Sequence, residues 1–191
     1  MADNSTLEIS AEITPNPNTL KFNVNKILLQ SGSVNFPDKA KAKGALLPEK
    51  LFGIENVLGV MVGQSFITIT KNPDSEWPSL VPAVTETLKS LLSSGKVLFP
   101  EQAPADEAPP ADNSANSEIE RKIREVLDSE IRPAVAMDGG DITFYGYENG
   151  VVTLHLQGSC SSCPSSIMTL KMGVENRLKQ SIPEIKEVVQ V

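Results

Sequence analysis

The chain of 191 residues is 40% hydrophobic, carries 17 Lys and Arg against 24 Asp and Glu, and holds two Cys and one His. That composition supports folded cores and excludes wholesale disorder, while the net charge of −7, with no strongly basic segment, removes the electrostatic footprint of a nucleic-acid binder. No apolar run approaches the roughly 20 residues of a membrane-spanning helix, and the start Met1-Ala2-Asp3-Asn4-Ser5 lacks the order of a secretory signal and the Arg bias of a transit peptide. Neither nucleic acid nor membrane is expected as a partner, and the cytoplasm is the expected compartment.

Residues 100–117 are rich in Ala, Pro and acidic residues and contain no aromatic or branched apolar side chain to bury. Such a stretch cannot offset its ordering entropy and reads as a flexible linker. It separates an N-terminal domain, 1–99, from a C-terminal domain, 118–191. Both are expected to be α+β.

In the first domain Leu7 to Ile13 alternates as a strand, Thr14-Pro15-Asn16-Pro17-Asn18 breaks it, and Leu20 to Val24 alternates again. A short helix follows over Pro48 to Ile54. Val57 to Val62 and Phe66 to Thr70 read as a hairpin around Gly63-Gln64. Leu80, Val84, Leu88 and Leu91 then recur at helical spacing behind Trp77-Pro78. The order is ββαββα, one antiparallel sheet backed by helices. Lys39, Lys41, Lys43 and Lys50 suit a solvated loop better than an acidic partner, and Trp77 suits a core or cap position. With no Cys or His in residues 1–100, this domain reads as structural or partner-docking.

The second domain opens on a capping box, Ser117-x-x-Glu120. Ile119, Ile123, Val126, Leu127 and Ile131 line one helical face, and Arg132-Pro133 is expected to end the helix. Asp138-Gly139-Gly140 reads as a tight turn with both glycines at positive φ, ahead of strands over Asp141 to Tyr147 and Val151 to Gln157. A helix from Pro164 follows, its stripe formed by Ile167, Leu170, Val174 and Leu178. A strand over Ile185 to Val191 closes an αββαβ order. His155 falls opposite Val152, Leu154 and Leu156, so it reads as a surface residue.

Cys160-Ser161-Ser162-Cys163 carries the chemistry. With Pro164 at the first helical position, Cys163 becomes the N-cap, and the free N–H groups and dipole of the helix favour thiolates there. The spacing suits a soft-metal ligand and a redox dithiol equally. Tetrahedral zinc and cubane iron–sulfur sites want four thiolates, and this chain holds two. A closed site therefore takes two chains, leaving the metal exposed, labile and suited to delivery. Asp138 and Asp141 fall short of a calcium shell.

The chain resembles the Nfu branch of the NifU-like iron–sulfur cluster scaffold and carrier proteins. The resemblance rests on Ile131-Arg132-Pro133, Asp138-Gly139-Gly140-Asp141, Leu156-x-Gly158-x-Cys160-x-x-Cys163-Pro164-x-Ser166 and Leu170-Lys171, and, in the first domain, on Thr14-Pro15-Asn16-Pro17-Asn18-Thr19-Leu20-Lys21-Phe22, Val60 to Gly63 and Phe66 to Lys71. It implies a homodimer that holds a 4Fe–4S cluster between paired Cys160 and Cys163, receives it from an upstream scaffold and passes it to apo-proteins, without enzymatic turnover. Two other readings compete: a Cys-x-x-Cys thiol-disulfide oxidoreductase and a structural zinc-bridged dimer.

Overall fold

Alternating apolar residues build the first sheet. The computed structural model describes residues 7–30, 32–94, 98, 116–161 and 164–191, apart from the side chains of 116, 117, 164–167 and 169. Residues 100–115 of the segment expected to be a linker, and the side chain of Ser117 of the expected capping box, lie outside what is described. The chain divides into two compact units, Met1–Ala105 and Asp106–Val191.

In the first unit, β1 (Ile9–Ile13) pairs antiparallel with β2 (Thr19–Val24), and β4 (Val57–Val62) with β5 (Phe66–Lys71). Strand β2 also pairs with β5, and a further strand, β3 (Val34–Phe36), pairs with β4. The sheet order is β1-β2-β5-β4-β3. Phe22 of β2, Ile67 and Ile69 of β5 and Val62 of β4 point to one face. There they meet Leu47 and Leu51 of α1 (Leu46–Leu51) and Leu80, Val84, Leu88 and Leu92 of α2 (Trp77–Ser93). Strand β3 is an addition to the expected order, three residues long and too short to show a period. In α2 it is Leu92, not Leu91, that is fully buried.

The turn between β1 and β2 satisfies its own polar groups. Thr14 Oγ1 lies 2.5 Å from Thr19 Oγ1 and donates to the Asn16 and Thr19 carbonyls. Asn18 N–H donates to Asn16 Oδ1. Trp77 Nε1 donates to the Pro17 carbonyl at 3.0 Å, and the ring packs, partly buried, against the core. That is the core or cap position expected of it.

In the second unit, α3 (Asn116–Val126) runs through a π-helical turn, Leu127–Ile131, into α4 (Arg132–Met137). The helix therefore does not end at Arg132-Pro133. Pro133 lacks an N–H and its ring crowds the carbonyl four residues back. The widened turn relieves this, with Arg132 N–H donating to the Leu127 carbonyl five residues back. Ile123, Leu127, Ile131 and Val135 stay on one buried face throughout.

Strands β6 (Gly140–Glu148) and β7 (Val151–Gly158) form an antiparallel hairpin, and β7 pairs in parallel with β8 (Glu187–Gln190) across α5 (Pro164–Ser181). Val152, Leu154 and Leu156 face inward against Val174 and Leu178 of α5. Leu170 is partly buried beside them, and Ile167 lies outside the described side chains. Both units are α+β, as expected.

Candidate functional site

Strand β7 delivers Cys160. It ends at Gly158, whose φ of +66° turns the chain out of the strand, and Ser159–Ser161 make a single 3₁₀ turn. Ser161 Oγ donates to the Gly158 carbonyl at 2.8 Å. Ser159 Oγ donates to the Asp138 carbonyl at 2.5 Å, and Ser159 N–H to the Gly139 carbonyl at 3.2 Å. The turn that carries the cysteine is thereby fastened to the turn that opens β6.

The two glycines of that turn differ. Gly139 has φ +75°, as expected, but Gly140 does not take a positive φ. It is the first residue of β6, paired with Gly158. A Cβ placed there would stand 2.5 Å from Cys160 Sγ and 3.0 Å from the Gln157 carbonyl. Gly140 is required because the sulfur rests on its backbone, which is a packing reason and not a conformational one.

Cys160 is 6% exposed and belongs to the apolar core of the unit. Burial pushes its thiol up from the ordinary value; Ser159 Oγ, 3.7 Å from Sγ, opposes this, and the charges of Asp138 and Asp141 add to the rise. This overturns the expectation of a helix-stabilised thiolate at this position. The residue precedes α5 by one short turn and sits among hydrocarbon side chains. Cys163, the expected N-cap and second ligand, lies outside the described residues. Among the described residues, no group of three or more His, Cys, Asp or Glu side chains converges on a point. The donor chemistry fits a soft-metal group, which deprotonates a coordinating thiol by its own charge.

Arg132 organises the flank of this seat, a role sequence reasoning missed. Its Nη1 lies 2.7 Å from Asp128 Oδ1, its Nη2 donates to the Ile142 carbonyl at 3.0 Å, and its Nε stands 3.0 Å from Asp141 Oδ1. Asp141 is 5% exposed and also accepts the Ile142 N–H. Its carboxylate is engaged inside the fold, so Asp138-Gly139-Gly140-Asp141 is a turn, as read, and also the cysteine's support. An Arg-Pro pair a few residues before two aspartates was the available signal. His155 lies on the outward face of β7 opposite Thr143 and is partly exposed. Lys39, Lys41, Lys43 and Lys50 are exposed on their turn and on α1.

The fold and this turn define a small α+β unit that seats a buried sulfur at a strand–helix junction. Two family models then match the chain, the NifU-like domain over residues 123–189 and the scaffold protein Nfu/NifU N terminal over residues 9–95. A human protein named NFU1 iron-sulfur cluster scaffold homolog, mitochondrial, is 44% identical over 184 residues, covering 96% of this chain and 71% of that one. NifU-like protein 4, mitochondrial, of Arabidopsis thaliana is 40% identical over 97% of this chain and 66% of its own length. A solution structure of a NifU-like protein from Saccharomyces cerevisiae is 25% identical, with a TM-score of 0.45 over 53% of this chain and 91% of that one. The chain belongs to the Nfu/NifU-like iron–sulfur cluster scaffold family. It spans about two thirds of the length of the sequence relatives named. Those relatives are named as mitochondrial, and nothing in them supports the expected cytoplasmic location.

Proposed function

We propose that this chain carries an iron–sulfur cluster as cargo, holding a 4Fe–4S cluster between two copies through Cys160 and Cys163 and releasing it to apo-proteins. The observation that carries the reading is the seat of Cys160, a sulfur laid on Gly140 and held by a hydrogen-bonded turn. Family membership supports the cargo. The 4Fe–4S type is what the resemblance to the family implies, and four sulfurs from two chains are enough to hold it. The protein turns nothing over: a recipient thiolate displaces Cys160 or Cys163, so ligands exchange while the cluster moves. The donor is an upstream scaffold, the recipients are apo-forms of iron–sulfur proteins, and the compartment is a reducing one.

Anaerobic reconstitution of the full chain with ferrous iron and sulfide tests this. The expected result is a visible cluster absorbance, about four irons and four sulfides per two chains, and a dimeric mass on sizing. Zinc alone in the anaerobically purified protein would favour the structural dimer, and four irons stably held by one chain would end the bridging reading.

A further inference from the structure

Strand β1 is a terminal strand of the first sheet, paired with β2 on one side. Its register shows which backbone groups remain. Asn25 N–H donates to the Glu8 carbonyl, and on the other side of β2 Val24 N–H donates to the Ser65 carbonyl. Hydrogen-bonding groups alternate along a strand, so Ser10 and Glu12 turn theirs to β2, while Ile9, Ala11 and Ile13 turn theirs to the open edge. Among the described residues nothing pairs with those three. Their side chains share the face of Leu20, Phe22 and Val24, yet Ala11 is exposed and Ile13 is 86% exposed, so no helix overhangs that end of the edge. Open apolar edges are usually blunted. Strand β6 is blunted by a bulge between Phe144 and Gly146 and by Arg132 Nη2, which donates to the Ile142 carbonyl. Strand β3 has only three residues. Strand β1 has five, with no bulge, proline or lysine.

We infer that β1 is a self-complementary edge, which pairs antiparallel with β1 of a second copy about a two-fold axis at Ala11 and joins two N-terminal sheets into one. This contact uses no thiol and is independent of the cluster-bridged dimer. About that axis Ile9 meets the partner's Ile13, Ala11 meets the partner's Ala11, and Ser10 meets the partner's Glu12. The first two pairings join residues whose backbone groups are open, so each N–H finds a carbonyl. Exposed Ile13 gains an apolar residue directly opposite. On the other face Asn23 Nδ2 and Lys21 Nζ reach Glu12 at 2.9 and 3.8 Å, both at Oε2, which leaves Oε1 for the hydroxyl of the partner's Ser10. The other registers fail. An axis at Glu12 opposes two carboxylates, which is destabilising. One at Ile13 sets Ala11 against Pro15, which has no N–H. An axis at Ile9 or Ser10 leaves Ile13 with no strand residue opposite. A strand that matches itself in a single register favours a second copy over other extended segments.

The test is sedimentation of the full chain, metal-free and with both cysteines reduced, from about 10 μM to about 1 mM, with hydrogen exchange over the same range. Wild type is expected to self-associate as concentration rises. The amides of Ile9, Ala11 and Ile13 should slow in step, while those of Ser10 and Glu12, already bonded to β2, stay constant. Ala11→Pro removes an N–H that β2 does not use, as edge strands tolerate, and should weaken the dimer about tenfold or more. Ser10→Glu sets carboxylates opposite each other and should weaken it roughly threefold or more; Ser10→Lys sets an ammonium opposite Glu12 and should strengthen it by a similar factor. That pair of exposed substitutions reads the register even if Ala11→Pro disturbs the strand. A wild type that stays monomeric with the three amides unchanged overturns the inference, as does an equal response to Ser10→Glu and Ser10→Lys. Slowing of the three amides only when apo-ferredoxin is added would assign the edge to recipients and overturn it too. None of these outcomes touches the bridging reading, which the iron count and the loaded mass decide.

Discussion

The two units use one device for different ends. Each closes a strand junction with a buried, hydrogen-bonded polar turn. In the first unit the turn from Thr14 to Thr19 bonds within itself, Thr14 to Thr19 and Asn18 to Asn16, and accepts from Trp77 and Lys71 at the Pro17 and Asn18 carbonyls, and so fixes the register of β1 on β2. In the second, the turn from Asp138 to Asp141 accepts two hydrogen bonds from Ser159, and what it supports is a sulfur. A buried polar turn is therefore not a site in itself. On the proposed reading, chemistry begins where such a turn seats a sulfur.

The sharpest way to break that contrast is to remove the ligand atom. Cys160→Ser is expected to abolish cluster absorbance altogether. Because Cys160 lies in the core, the substitution should also cost the C-terminal unit about 1–3 kcal/mol for a hydroxyl among apolar groups. Denaturant unfolding of this unit reads that loss, and a variant of wild-type stability would put the sulfur elsewhere. Cys163→Ser is expected to remove the cluster as well. Residues 118–191 alone should bind a cluster, while residues 1–100, without a thiol, should bind none. Slower delivery by residues 118–191 than by the full chain, for some recipients only, would give the first unit a docking role.

Next in size is the glycine. Gly140→Ala must push the sulfur or the Gln157 carbonyl aside, with an expected loss of about 1–3 kcal/mol from the C-terminal unit. Gly146, at the bulge between Phe144 and Gly146, has open space around it, so Gly146→Ala serves as the tolerated control. Equal melting temperatures for the two variants would mean that the seat yields without cost.

The same glycine shows where sequence reading stops. Val152, Leu154 and Leu156 alternate, Val174 and Leu178 recur at helical spacing, and these local periods disclosed the sheet and helix of the C-terminal unit. Gly140 and Cys160 stand twenty residues apart, and no period links them. A glycine opening a strand was still a signal, since strand glycines mark close approach. The helix through Pro133 was hidden for another reason: an Arg-Pro pair reads as a helix end, and the π-helical turn over Leu127–Ile131 that accommodates it has no signature of its own in the residue types. Strand β3 has three residues and depends on its pairing with β4.

Two substitutions of moderate effect weigh the polar turns against each other. Arg132→Met leaves the carboxylate of Asp141 without its cation; as the arginine is partly exposed, about 1–2 kcal/mol is expected, less than for a fully buried pair. Thr19→Val opens the closed network of the first unit and should cost about 1–2 kcal/mol there. Each loss should appear in its own unit's transition. Loss of cluster binding in Thr19→Val would contradict the division of labour between the units.

The smallest expected effect is electrostatic and belongs to the C-terminal unit. Glu130 faces the Arg177 guanidinium, whose hydrogen bonds and charge hold its carboxyl below the ordinary value. Glu175 is lowered in the same direction by Lys179 and by the Val188 N–H that it accepts. A carboxyl with a lower pKa folded than unfolded binds fewer protons in the folded state, so its contribution is complete above the unfolded value of about 4.3 and disappears as pH falls through the folded one. The C-terminal unit should therefore lose stability on acidification within that range. Glu130→Gln and Glu175→Gln should each flatten the fall, Glu130→Gln the less of the two in high salt, where its exposed pair is already screened. Melting of residues 118–191 in the apo form at successive acid pH values measures it. A slope unchanged in the double variant would assign the acid sensitivity to other carboxylates.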